Sequence, residues 1–306
     1  MDIQIKPLAL DPAKLDGLSE KLLRSHYDNN YTGAAKRLNA IRGQLAQLAW
    51  DTTPVFTING LKREELIAAN SVYLHELYFE NLGGDGVLPS NGLSIALTRD
   101  FGSVERWRSE FTALAKAMGG GSGWAILSWS SREGRLVNQW AADHTHLLAG
   151  ATPILVLDMY EHAYHLDFGA KAAAYVDAFM RNINWDTVYP RYGAAVKASA
   201  FGFGLEPAAV NQATAQLIDV RRAETFADAN DMIKGARYAD PADLPGWVGT
   251  LDPERPVVVY CFHGLDIGRS TALSLRAHGV NAQFMEGGIE AWRAAQLPLT
   301  PKTAAA

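Results

Sequence analysis

The sequence is poor in the features that mark several common protein classes. It holds one cysteine, Cys261, in 306 residues, so no disulfide can form within the chain and a reducing compartment is expected. It has no run of five Lys or Arg residues and a net charge of −5, so the clustered basic face that nucleic acid requires is missing. No apolar stretch reaches the length of a membrane span. The opening residues, Met1-Asp2-Ile3-Gln4-Ile5-Lys6, lack the basic and apolar blocks of a secretory signal. These absences predict a cytoplasmic protein with neither nucleic-acid nor membrane partners. What the sequence does have is apolar residues, 48 % against 20 % charged, which suffices for the cores of two ordinary domains.

The periodicity changes along the chain. Apolar residues recur at helical spacing from Leu15 to about Leu48, with Ser19 as a cap, and again from Arg63 to Leu82 and from Phe101 to Met118. Strands are predicted at Trp124–Trp129, Arg135–Ala141 and Pro153–Leu157, then a helix between Ala170 and Tyr192. Helices followed by a small antiparallel sheet make an α+β unit, expected over 1–197. Gly193 to Gln212 is rich in Ala and Gly and reads as the junction. Beyond it, strands at Leu217–Val220, Val257–Tyr260 and Ala282–Met285 alternate with a helix over Ser270–His278. That alternation predicts a parallel sheet in an α/β unit, 206–306.

Four residues form a candidate metal set: His26, His75, Asp158 and His162. His26 is in line with Leu18 and Leu22 on its helix, and His75 with Val72, Phe79 and Leu82. Asp158 ends an apolar strand and His162 follows it by one Asp-x-x-x-His step. Three imidazoles and a carboxylate suit a redox-active first-row metal. Spacing alone does not select them, since His144, His146 and His165 are equally available, and a histidine on an apolar stripe is more often a hydrogen-bonded core residue.

A resemblance makes the selection. Asp158-Met159-Tyr160-Glu161-His162-Ala163-Tyr164 is similar to the signature of the iron/manganese superoxide dismutases, Asp-x-Trp-Glu-His-Ala-Tyr. Ser25-His26-Tyr27, Leu74-His75-Glu76-Leu77-Tyr78-Phe79-Glu80-Asn81-Leu82, Asp100-Phe101-Gly102-Ser103, Gly121-Ser122-Gly123-Trp124 and Ile183-Asn184-Trp185 resemble further landmarks in the same order. The resemblance implies one iron or manganese ion per chain on the four named residues, with iron favoured. It implies superoxide as substrate, with dioxygen and hydrogen peroxide as products. It also implies a homodimer, in which Glu161 bonds the ligand histidine of the partner subunit and Asn30 and His165 meet across the interface. The sequence departs from the family around the metal. Asn30 and Ala34 stand where a histidine and the gateway tyrosine are usual, His165 and Tyr160 replace a tyrosine and a tryptophan, and Ala172 replaces an arginine. The positions expected to carry the solvent-binding glutamine are matched to Gly120 and Ser71. His144, His146 and Gln139 are the candidates for a replacement donor.

Cys261 follows a buried strand and precedes a Gly-containing loop and a helix. Loop amides and a helix N-terminus lower a thiol pKa and bind anions, whereas a lone cysteine elsewhere is usually a small buried hydrophobe. Leu217-Ile218-Asp219-Val220-Arg221, Ile233-Lys234-Gly235-Ala236-Arg237, Val259-Tyr260-Cys261 and Glu286-Gly287-Gly288-Ile289-Glu290-Ala291-Trp292 resemble rhodanese landmarks in order. This implies that Cys261 accepts a sulfur atom, with His263, Gly264, Gly268 and Arg269 in the anion loop. The loop is longer than the usual Cys-x-x-Gly-x-Arg, so a sulfur donor or an oxyanion are both expected ligands. Similar pairs of proteins accompany bacterial chromate-resistance systems, which places the chain in oxidative or chromate stress. Two other readings stay open: a metalloprotein with a task other than dismutation, and a C-terminal unit that binds without catalysis.

Overall fold

The computed structural model describes residues 2–302, so the expected unit limits at 1 and 306 lie outside the described residues. Ser19 caps α1 (Glu20–Ser25), its Oγ accepting from the Leu22 amide. The chain continues through a π-helical stretch, His26–Tyr31, into α2 (Thr32–Ala46). The helix expected from Leu15 to Leu48 therefore starts later and is not uniform. A π stretch carries more residues per turn and re-aims the side chains beyond it, a device common at functional sites. His26 stands at its first position and is buried.

After a turn, α3 (Val55–Glu80) packs back on α2, beginning at Val55 rather than Arg63. Next comes α4 (Gly92–Phe101), which the apolar pattern did not reveal. Asn91 and Ser94 form a reciprocal capping box at its start, and Gly102, at φ 92°, ends it. The helix expected from Phe101 is thus α5 (Val104–Ala117), opened by its own cap, Ser103.

The strands β1 (Trp124–Ser130), β2 (Arg135–Ala141) and β3 (Ala151–Asp158) form an antiparallel sheet in the order β2-β1-β3. Gly123 leads into β1 at φ 137°, and a Cβ there would lie 2.1 Å from the Ala141 carbonyl oxygen, so only glycine fits. Its own carbonyl accepts from the Met159 amide, which fixes the end of β3 against Trp124.

The short helix α6 (His165–Phe168) precedes α7 (Ala172–Arg181) and α8 (Trp185–Ser199). The single helix expected from Ala170 to Tyr192 is broken between these two, because Asn184 caps a new start. Conversely, α8 runs through Gly193 to Ser199, inside the segment read as the junction. Ala195 and Val196 on it are buried, so its small residues form a packing face rather than a linker.

Beyond it the elements are β4 (Gly204–Leu205), β5 (Gln216–Asp219), α9 (Ala223–Ala227), β6 (Asp231–Ile233), β7 (Arg237–Tyr238), α10 (Leu244–Trp247), β8 (Val257–Tyr260), α11 (Asp266–Ala277), β9 (Ala282–Met285), α12 (Gly288–Ala294) and β10 (Leu299–Pro301). Five strands form a parallel sheet, β4-β9-β8-β5-β7, while β6 pairs antiparallel with β10. The expected α+β and α/β classes are both present. Helix α11 begins at Asp266, earlier than the expected Ser270.

The two halves share a core. Trp129, Val196, Leu275 and Phe284 belong to one buried cluster. Arg99, buried and paired with Asp100, also donates to Ser270 Oγ at 3.2 Å. Arg222 donates to the Ser90 carbonyl at 3.1 Å, and Ser274 Oγ donates to the Gly134 carbonyl.

Asn81 holds the end of α3 in place. Its Nδ2 donates to the Val156 carbonyl at 2.9 Å, and its Oδ1 accepts from Arg191 at 2.8 Å. Asn81→Ala removes both bonds from a dry site, although Arg191 keeps the Ile154 carbonyl and Glu80. It is expected to lower stability by about 2 kcal/mol, read from the urea midpoint.

Candidate functional site

The hairpin of α1–α3 and the end of β3 bring four side chains together. His26 Nε2 and His162 Nε2 each lie 3.1 Å from Asp158 Oδ2, and His75 Nε2 lies 3.4 Å from it. All four candidate ligand atoms fall within 4.8 Å of one another. The register of β3 with β1 sets Asp158 beside Trp124, whose ring meets His75 edge-on at 5.2 Å.

Neighbouring groups fix the orientation of these residues. His75 Nδ1 donates to the Ser71 carbonyl at 2.6 Å, which leaves Nε2 as the lone-pair nitrogen facing the cluster. Asp158 Oδ1 accepts from the Tyr160 amide at 2.8 Å. The Tyr175 hydroxyl donates to the Asp158 carbonyl at 2.8 Å and lies 3.1 Å from the Tyr78 hydroxyl. Tyr160 stacks between His144 and His162, at 4.9 and 5.3 Å.

Burial lowers the pKa of His26 and brings that of His75 down to about 3, so both rings are neutral. Burial alone would raise the Asp158 carboxyl. Its close contacts with His162, then with His26, overcome that and hold the carboxyl well below its ordinary value.

The donor set fits a metal. His75 Nε2, which faces the cluster, is buried without a hydrogen-bond partner, and a dry core does not leave such an atom bare without compensation. Three imidazole nitrogens crowd one carboxylate oxygen, and a cation among them supplies what is missing. Nitrogen and carboxylate donors suit iron or manganese. The four residues would hold the ion.

A cavity of about 360 Å³ opens onto His75 and His162, lined also by Asn30, Ala34, Arg37, Ser71 and His144. Among the three candidate replacement donors, His144 alone lines it. His146 lies on the surface stacked on Trp140, and Gln139 donates to the His146 carbonyl. Trp124 Nε1, a donor only, gives its proton to His144 Nδ1 at 2.9 Å, so the neutral ring carries its own proton on Nε2. Gly120 is not among the residues lining the cavity. Arg37 was not singled out by the sequence, because it reads as one charge on an amphipathic helix. Glu161 and His165 are exposed.

Cys261 lies at a second cavity, of about 460 Å³. The residue is 4 % exposed. Burial pushes the thiol pKa up, and the amides of Gly268, Leu265 and Gly264, aimed at the sulfur, oppose that rise without cancelling it. His263 lines the cavity and its Nδ1 lies 2.6 Å from Glu290. Arg269 is directed elsewhere, 3.6 Å from Glu286 and over the Phe284 ring. The cations that do line the cavity are Arg221 and Arg222, joined by Asp266 and, from the first half of the chain, Asn91, Gly92 and Tyr189.

A helical hairpin, a three-stranded sheet and a three-His, one-Asp cluster between them define a mononuclear metalloprotein. The family model "Iron/manganese superoxide dismutases, C-terminal domain" matches residues 89–191, and "Rhodanese-like domain" matches 207–295. The superoxide dismutase [Fe] of Cupriavidus metallidurans is 66 % identical over 194 residues, covering 63 % of this chain and 98 % of that protein. The superoxide dismutase [Fe] of Aquifex pyrophilus is 38 % identical, covering 62 % of this chain and 91 % of that protein. The superoxide dismutase [Mn] 1 of Halobacterium salinarum is 32 % identical, covering 64 % and 98 %. The chain belongs to the iron/manganese superoxide dismutase family and carries a rhodanese-like domain after that unit.

His75→Ala is expected to abolish metal retention, measured by elemental analysis after purification, while Cys261→Ser leaves the metal content intact. Equal metal in wild type and His75→Ala would count against the ligand set. Because its thiol pKa is raised, Cys261 holds less thiolate at neutral pH than a free cysteine does. Its alkylation by iodoacetamide should be slow at neutral pH and quicken as the pH climbs into the alkaline range, followed by mass spectrometry.

Proposed function

We propose that the chain converts two superoxide ions and two protons to dioxygen and hydrogen peroxide at the His26–His75–Asp158–His162 centre. The observation that carries this reading is the convergence of three imidazoles on one buried carboxylate, at the inner end of an open cavity. When bound, an iron or manganese ion supplies the one-electron exchange on which both half-reactions rest, and the iron-type relatives favour iron. The chain's own residues do the remainder. Arg37, paired with Glu64, places a guanidinium at the cavity wall, where it can hydrogen-bond an anionic substrate. The His144 ring presents an N–H, the tautomer being fixed by Trp124, and serves as the donor where the family uses an amide. Ala34 leaves room where a hydroxyl would otherwise stand, so the consumed protons enter from solvent through the open cavity while the His144 N–H orients what binds there.

We place the unit division between 197 and 206, which the two matched segments support. We also propose that the first unit forms a homodimer. His162 is the one partly exposed member of the set, at 27 %, and its second ring nitrogen has no partner among the described residues. Glu161 of a second copy would supply one, with Asn30 and His165 meeting nearby. For the second unit, Cys261 accepts sulfane sulfur, supported by the three amides aimed at Sγ. No described helix is long and apolar enough to cross a membrane, and a reducing cytoplasm suits a lone thiol. Oxidative stress, including that caused by chromate, is the setting in which both units have work.

The test is a dismutase assay on protein loaded with iron or manganese. Activity well above that of the metal-free protein is expected, and His144→Ala should lower it about tenfold, with metal content unchanged. Background rates at full metal occupancy would leave a metalloprotein with another task.

A further inference from the structure

The cavity at Cys261 is built by both halves of the chain. Asn91 and Gly92, at the start of α4, and Tyr189, on α8, form the wall facing the cysteine loop. The fit is close: a Cβ on Gly92 would lie 1.6 Å from Asp266 Oδ2. The Tyr189 hydroxyl donates to that same carboxylate oxygen at 3.1 Å. Asp266 is the first residue of α11, so a carboxylate already sits at the helix end where an anion would bind. It lines the same cavity as Cys261; burial raises its pKa, and the Tyr189 hydroxyl, Arg269 and Arg222 oppose that rise. On another side lie Arg222, held by the Ser90 carbonyl, and Arg221, fully buried, paired with Asp219 and with Nη1 lacking any partner.

The cavity thus offers a sulfur nucleophile, a carboxylate clamped by the neighbouring unit, and guanidinium groups. A dianion such as thiosulfate meets like charge from Asp266 beside the reacting sulfur. A small zwitterion meets opposite charge twice. We propose that this composite cavity selects an amino-acid-type persulfide, with its ammonium group toward Asp266 and its carboxylate toward the arginines, over thiosulfate. The inference rests on the reading of Cys261 as a sulfur acceptor. In the step itself the Cys261 thiolate attacks the outer sulfur of R–S–SH. The donor S–S bond breaks, R–S⁻ leaves with the electron pair, and the enzyme keeps Cys261–S–SH. No outside oxidant or reductant is required.

The experiment uses the full chain, with cysteine persulfide and thiosulfate as donors in parallel, and follows the gain of one sulfur atom on Cys261 by mass spectrometry. Wild type should react faster with cysteine persulfide. Asp266→Asn should narrow or reverse that preference by about tenfold, the scale of one nearby charge. Tyr189→Phe, which removes only the clamping hydroxyl, should shift it in the same direction by less. Metal content of each variant reports that the fold is kept. Equal rates with both donors, unchanged in Asp266→Asn, would overturn the selectivity while leaving the sulfur-acceptor reading in place. No adduct from either donor would overturn both.

Discussion

The structure depends on an ionised carboxylate kept out of water. Asp158 is fully buried at the end of β3, and its charge is tolerated because His162 and His26 bond one of its oxygens while a backbone amide takes the other. His26 comes from a distant part of the chain, as does the neighbouring His75, while His162 and the Tyr160 amide follow Asp158 within four residues. The π stretch aims His26, the register of β3 against β1 sets Asp158, and Ser71 fixes the tautomer of His75. Loss of any of these would leave a bare charge or an unpaired imidazole in the core, where the penalty far exceeds that of a lost surface contact. The helical hairpin and the small sheet are held to one geometry by this requirement. A cation bound among the same groups would strengthen it, since binding to the folded state alone stabilises that state.

Much of this was legible in the sequence, and the misses have physical causes. The segment from Asp158 to Tyr164 selected the ligand set where spacing alone could not tell His26 and His75 from His144 or His165. Helix α4 was overlooked because it is short and follows a stretch rich in Gly, Pro and Asn. Its signal is the Asn91–Ser94 capping box rather than an apolar stripe. The Ala-rich run after Gly193 read as a linker because small residues serve equally in a flexible segment and on a helix face packed close to its neighbours. The sequence offers three residues for the replacement donor. His144 is separated from His146 and Gln139 only by the path of the loop after β2, which no periodicity encodes.

The second cavity was the least legible part. Asn91, Tyr189, Arg222 and Asp266 are far apart in the chain, and they meet only because α11 packs on α4 and α8. Arg269 was expected in the anion loop on the strength of a family pattern. The longer loop instead brings Asp266 into the cavity and turns Arg269 toward Glu286 and Phe284. Where two units share a core, a site belonging to one by sequence can be completed by the other, and a reading confined to one segment misses half its wall.

The depth of Cys261 has a bearing on how two such centres coexist. Peroxide oxidises thiolates far faster than thiols, and the first product, a sulfenic acid, goes on to forms the cell does not readily reverse. A cysteine held mostly protonated, 4 % exposed and walled by the neighbouring unit is a poor target. A centre that releases hydrogen peroxide can therefore be joined to a sulfur nucleophile without spoiling it.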